Sequence, residues 1–107
     1  MKYDITDLLI FFDEQAPATD EERGYYWFGK NRSDGLVITL SFSIYERYVG
    51  VLVNTKSDTS IAEVNMKNCS EIRILDKEKK CLEIIHEDQK GRCFLHLTGD
   101  SIVTYEE

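Results

Sequence analysis

Residues 36–54 constrain the fold most, because they alternate apolar and polar side chains along two consecutive arms. Leu36, Ile38, Leu40, Phe42 and Ile44 share one face of the first arm, with Val37, Thr39, Ser41 and Ser43 on the other. Val49, Val51 and Val53 share one face of the second arm. The pattern predicts a long antiparallel hairpin. An even loop centred on Glu46 and Arg47 would oppose Ile44 to Val49, Phe42 to Val51 and Leu40 to Val53. Both apolar stripes then lie on one side of the sheet. The polar face offers nothing more reactive than the hydroxyls of Thr39, Ser41 and Ser43, so the hairpin reads as scaffold.

The rest of the chain extends this theme. Ile5, Leu8, Leu9 and Phe12 follow helical spacing, and Asp4, Thr6 or Asp7 can cap a helix over residues 4–15. Ile10 and Phe11 fall off that stripe, which predicts burial on more than one side. Residues 13–23 carry five acids and the only proline, Pro17, and read as an exposed acidic loop. The run Gly24-Tyr25-Tyr26-Trp27-Phe28-Gly29 predicts an aromatic edge strand. Either Trp27 or Phe28 plugs the core, or a Trp or Tyr of the strand forms a partly exposed anchor for a partner.

After a loop at residues 55–60, Ala62, Val64 and Met66 can face Val53, Val51 and Val49, and the pattern breaks at residues 67–70. Further along, Ile72 and Ile74 can oppose Ile84 and Leu82. A loop at residues 88–91 would oppose Ile84 to Leu95 and Leu82 to Leu97, pairing Glu87 with Arg92 and Glu83 with His96. A two-residue turn at Gly99 and Asp100 would oppose Leu97 to Ile102 and Phe94 to Tyr105. Ile85, Phe94 and Tyr105 would then form a stripe that needs either a cover or a partner. The predicted fold is mainly β (α+β): an antiparallel sheet, sandwich or half-barrel of about six to seven strands in meander order, with one N-terminal helix packed on it. With 107 residues, a single domain over residues 1–107 is expected, burying roughly two-thirds of the surface of the unfolded chain.

Composition narrows the function. Twenty acids against thirteen bases give a net charge of −7, which opposes binding to nucleic acid or an anionic membrane and suits a basic protein partner. No apolar run approaches a membrane span, and the start of the chain does not resemble an export signal. The cytoplasm is therefore the expected compartment. There Cys69, Cys81 and Cys93 are expected to be reduced thiols.

Catalytic and ligand motifs are missing: the glycines are scattered, and no cofactor or metal site is predicted. The predicted register brings His86 opposite Cys93, but on an apolar face, where a thiol behaves as a small hydrophobe. Cys93 and His96 are three apart in a strand and point to opposite faces, as do Cys81 and His86, five apart. No catalytic residue is assigned.

The helical start, the strand containing Trp27, and the segments "GLVITLSFS", "SEIRILD" and "CLEIIH" resemble small immunity proteins. Such proteins protect bacteria from polymorphic or contact-dependent growth-inhibition toxins. The resemblance implies a cytoplasmic, non-catalytic protein that binds a cognate toxin domain, often a basic nuclease. Under that reading the partner-binding residues are Asp13, Glu14, Asp20, Glu21 and Glu22 as steering acids, with Tyr25, Tyr26 and Trp27 as anchors. The alternatives are a regulatory or assembly module acting through an exposed sheet edge or homodimer, and a small enzyme.

Overall fold

The computed structural model describes residues 1–12, 18–20, 22–78, 80–87 and 92–106. Helix α1 spans Ile5–Phe12, and the Asp4 carboxylate caps it by accepting the Asp7 backbone N–H at 3.0 Å. Leu8, Phe11 and Phe12 are buried, whereas Ile10 is half exposed at 50%. Phe11 thus provides the second buried side expected of this helix, and Ile10 does not. The rest of the predicted helix, residues 13–15, lies outside the described residues.

Nine antiparallel strands form two sheets among the described residues, each in sequential meander order. The first sheet contains β1 (Ala18–Asp20), β2 (Tyr25–Asn31), β3 (Leu36–Ser43), β4 (Tyr48–Thr55) and β5 (Ser60–Met66). The second contains β6 (Cys69–Asp76), β7 (Cys81–His86), β8 (Arg92–His96) and β9 (Val103–Glu106). One apolar cluster joins Leu8, Phe11 and Phe12 to Phe28, Ile38, Leu40 and Phe42 of the first sheet and to Ile72, Leu82, Ile84 and Leu95 of the second. Period-two alternation explains this, because each strand contributes every second side chain to that shared core.

Several expected registers hold. Val49, Val51 and Val53 oppose Met66, Val64 and Ala62, and Ile72 and Ile74 oppose Ile84 and Leu82. The central hairpin is displaced by two residues, with Phe42 opposite Val49, Leu40 opposite Val51 and Ile38 opposite Val53. The cause lies in the loop. The Ile44 N–H donates to the Gly24 carbonyl at 3.0 Å, which draws Ile44 out of the ladder. Arg47 turns the chain at φ 55°, and Ser43 Oγ accepts the Glu46 N–H at 3.2 Å. A two-residue slip preserves the buried face, so the core is unchanged.

The β7–β8 pair slips by two as well: Leu82 opposes Leu95, and Ile84 opposes Cys93. The expected pairing of Glu87 with Arg92 is replaced because Glu87 binds Arg47 at 2.6 Å. Arg92 instead grips Glu83 through two contacts of 3.0 Å. His96 meets Thr104 at 3.1 Å rather than Glu83, and Cys81 is its cross-strand neighbour.

The β8–β9 register differs by one residue, which matters more. Leu97 donates its N–H to the Lys80 carbonyl at 2.9 Å and is buried, so it leaves the ladder. The connection is therefore longer than the two-residue turn expected at Gly99 and Asp100. Tyr105 now opposes Cys93, Val103 opposes Leu95 and Thr104 opposes Phe94. An odd slip reverses faces, so the expected Ile85–Phe94–Tyr105 stripe does not form. Ile85 opposes Glu71, and the Arg92 guanidinium covers the Phe94 ring at 4.8 Å.

Two further corrections concern strand limits. Ala18–Asp20 forms β1 within the predicted acidic loop, so β2 is not an edge strand. The break expected at residues 67–70 ends earlier, because Cys69 and Ser70 already belong to β6. Phe28 is the aromatic plug, at 2% exposure, and Trp27 is exposed.

Candidate partner-binding face

The face of the first sheet turned away from the core follows directly from its registers. Trp27, Ser41, Gly50 and Asn65 form one cross-strand row, and Tyr25, Ser43 and Tyr48 form the next. Gly29, Thr39, Leu52 and Glu63 form a third. Small residues thus occupy the middle of the face, and aromatic side chains flank them. Space above Gly50 is tight: a Cβ there would lie 3.1 Å from both Ser41 Oγ and Asn65 Oδ1 and 3.3 Å from the Tyr48 hydroxyl. Tyr48 therefore reaches across Gly50 and donates its hydroxyl to Asn65.

Tyr25 and Trp27 point outward and stack with ring centroids 5.7 Å apart. Asp20 sits opposite Tyr25 in the β1–β2 pair. The Tyr25 hydroxyl donates to Glu46 at 2.9 Å, and this bond to a carboxylate raises the Tyr25 pKa. Burial, with a smaller effect from Glu63, raises that of Tyr48. Both phenols remain neutral donors across the physiological range. Stacking and hydrogen bonds pre-order these rings, so less side-chain entropy is lost when a partner covers them.

The structure thus brings together Asp20, Tyr25 and Trp27 and places Glu22 in the exposed turn beside them. Tyr26 is separated from them. It faces the core, stacks on Phe42 at 5.2 Å and accepts a hydrogen bond from Tyr3 at 3.4 Å. That bond contributes most to raising the Tyr3 pKa to about 12. Asp13, Glu14 and Glu21 lie outside the described residues. Tyr48, Leu52 and Glu46 join the face without having been singled out in the sequence. The signal for Tyr48 and Leu52 was their alternation, with Gly50, against the buried valines of β4, whereas Glu46 lies in the turn before that strand.

A second concavity lies between β5 and the β7–β9 end of the second sheet. Val64, Met66, His86, Cys93, Val103 and Tyr105 line this cleft of about 540 Å³. His86 stacks on Tyr105 at 6.0 Å, and Ile84, not His86, opposes Cys93. Cys93 is 2% exposed, and burial pushes its thiol pKa up, the reverse of what a nucleophile needs. Among the described residues no group of three or more His, Cys, Asp or Glu side chains is arranged to hold a metal ion, and no helix is long and apolar enough to cross a membrane.

No protein-family model and no curated protein matches the chain. A solved structure does, at the level of fold. A chain of the "Contact-dependent growth inhibition toxin - immunity protein complex from Klebsiella pneumoniae 342" superposes with a TM-score of 0.76. The match covers 98% of this chain and 93% of that one at 14% identity. The fold occurs in a toxin–immunity complex. The likeness spans the helix and both sheets, and so agrees with the resemblance carried by the sequence segments.

Proposed function

We propose that this chain is a non-catalytic immunity protein that neutralises a cognate growth-inhibition toxin domain in the bacterial cytoplasm. The observation carrying the proposal is the near-complete fold likeness to a chain of a toxin–immunity complex. The outer face of the first sheet is the proposed docking surface, with Tyr25 and Trp27 as anchors. Asp20, Glu22 and Glu46 supply negative charge beside them, and Asp13, Glu14 and Glu21 belong to the same acidic stretch of sequence. A nuclease toxin suits this chemistry, because its active site is basic in order to bind phosphate. Complementary charge speeds encounter, and desolvated aromatic contacts slow release.

The test is co-expression with the C-terminal domain encoded immediately upstream. Copurification and restored growth are expected. A toxic upstream domain that neither binds the chain nor is relieved by it overturns the proposal.

A further inference from the structure

The four sheet edges are treated very differently. The N-terminal segment covers β6, where Lys2 donates to the Ser70 carbonyl at 2.8 Å and accepts from the Ile72 N–H at 3.0 Å. Among the described residues, edge strands β1 and β9 have three and four residues. Strand β5 has seven and, among the described residues, ends the first sheet and pairs with β4 alone. It lacks the lysine, proline or inward charge with which proteins commonly block strand addition, although an irregularity interrupts its ladder near Asn54 and Ser60. Ile61 is 57% exposed, and Ala62, Glu63 and Asn65 are exposed beside it.

From this edge we infer that β5 pairs antiparallel with β5 of a second copy, joining two five-stranded sheets across a two-fold axis. The sequence of the strand is self-complementary in one register. Centring the pair on Val64 places Val64 opposite Val64, Ala62 opposite Met66 and Glu63 opposite Asn65. Parity is preserved, so the inward stripe of Ala62, Val64 and Met66 continues from one copy into the next. A centre on Glu63 would align all seven residues but would set the two glutamates face to face, which cross-strand pairing disfavours. The Val64 centre removes that repulsion. It also leaves Lys67 of each copy diagonal to Glu63 of the other, beside the glutamate–glutamate diagonal. The edge thus carries one acid and one nearby base, without the acidic excess that would select a basic partner strand. An isologous pair uses the same patch twice, and this patch fits itself.

This inference does not depend on toxin binding, and its test is separate. Sedimentation equilibrium of the full chain, from about 1 to about 300 µM, should show the mass rising from 12.5 kDa toward twice that value. A short edge ladder buries less than a standard interface, so a dissociation constant on the order of 10 µM is expected. Asn65→Glu would face Glu63 twice across the dyad and should weaken the dimer at least tenfold. Asn65→Lys would face Glu63 twice and should tighten it about threefold or more. Circular dichroism melts of both variants check that the monomer remains folded.

A chain that stays monomeric over the whole range overturns the inference. A dimer indifferent to both changes also does so, because it must use another surface. A monomer that binds the toxin overturns self-pairing whatever the Asn65 variants do to that binding, because Asn65 also lies on the proposed docking face.

Discussion

Replacing Glu83 by Gln tests how a buried charge is held in the second sheet. The Glu83 side chain is 5% exposed, yet it accepts from Arg73 Nη2 at 3.2 Å and from Arg92 Nε and Nη2 at 3.0 Å each. Hydrogen bonds to charged groups contribute about 1.5–3 kcal/mol each in sheltered settings. Here both arginines are about half exposed, so water screens them and the contributions are smaller. The substituted amide retains one acceptor and the same shape. The expected net loss is about 1–2 kcal/mol at pH 7, or about 4–8 °C in Tm for a chain of this size.

The pH dependence separates charge from packing. Hydrogen bonds from Arg92, then Arg73, hold the Glu83 pKa below its ordinary 4.5 despite burial. A depressed folded-state pKa contributes stability that is complete above the unfolded value and disappears as pH falls through the folded value. The gap between native protein and variant should therefore stay constant from pH 7 to about 5 and close below about 4. Thermal melts by circular dichroism at pH 7, 5 and 3 measure it. An unchanged Tm at pH 7, or an equal gap at pH 3, refutes the reasoning.

Three other perturbations probe the scaffold and the proposed surface. Gly24→Ala should cost about 2–4 kcal/mol in urea unfolding, because φ is +67° and the new Cβ would meet Ile44 Cγ1 at 2.6 Å. Phe42→Ala should cost about 3–5 kcal/mol in the same assay, since it empties a fully buried site ringed by Tyr3, Tyr26 and Phe28. Reversing the charges of Asp20, Glu21 and Glu22 together should slow stopped-flow association with the toxin about tenfold at low salt and flatten its salt dependence. Unchanged kinetics would remove these acids from the steering role.

Much of the fold was legible because period-two alternation survives small errors of register. The slips at β3–β4 and β7–β8 moved each pair by two residues and left Phe42, Leu40, Leu82 and Leu95 buried. The single-residue difference at β8–β9 reversed Tyr105, because Leu97 is captured by Lys80, a contact distant in sequence. Arg47 and Asn68 lie in the loop and the pattern break that alternation located, but their residue types do not dictate the positive φ with which they turn the chain. Strand β1 was invisible for a different reason. Ala18-Thr19-Asp20 has no apolar alternation and is held by backbone pairing to β2.

The candidate face was half legible. Tyr25 and Trp27 announce themselves as aromatic, but alternation separates them from Tyr26 only once strand β2 has a defined inner side. Tyr48 and Leu52 become part of the surface through registers that bring β4 beside β3. No short motif carries that information.

The docking face itself is tested most directly by calorimetric titration of the upstream toxin domain into native protein and into a Tyr25→Ala/Trp27→Ala variant, with Glu83→Gln as a control distant from that face. Removing both anchors should weaken binding at least a hundredfold, about 2.7 kcal/mol, while the control binds like native protein. Equal affinity of the double variant and native protein would contradict the assignment of the first sheet's outer face.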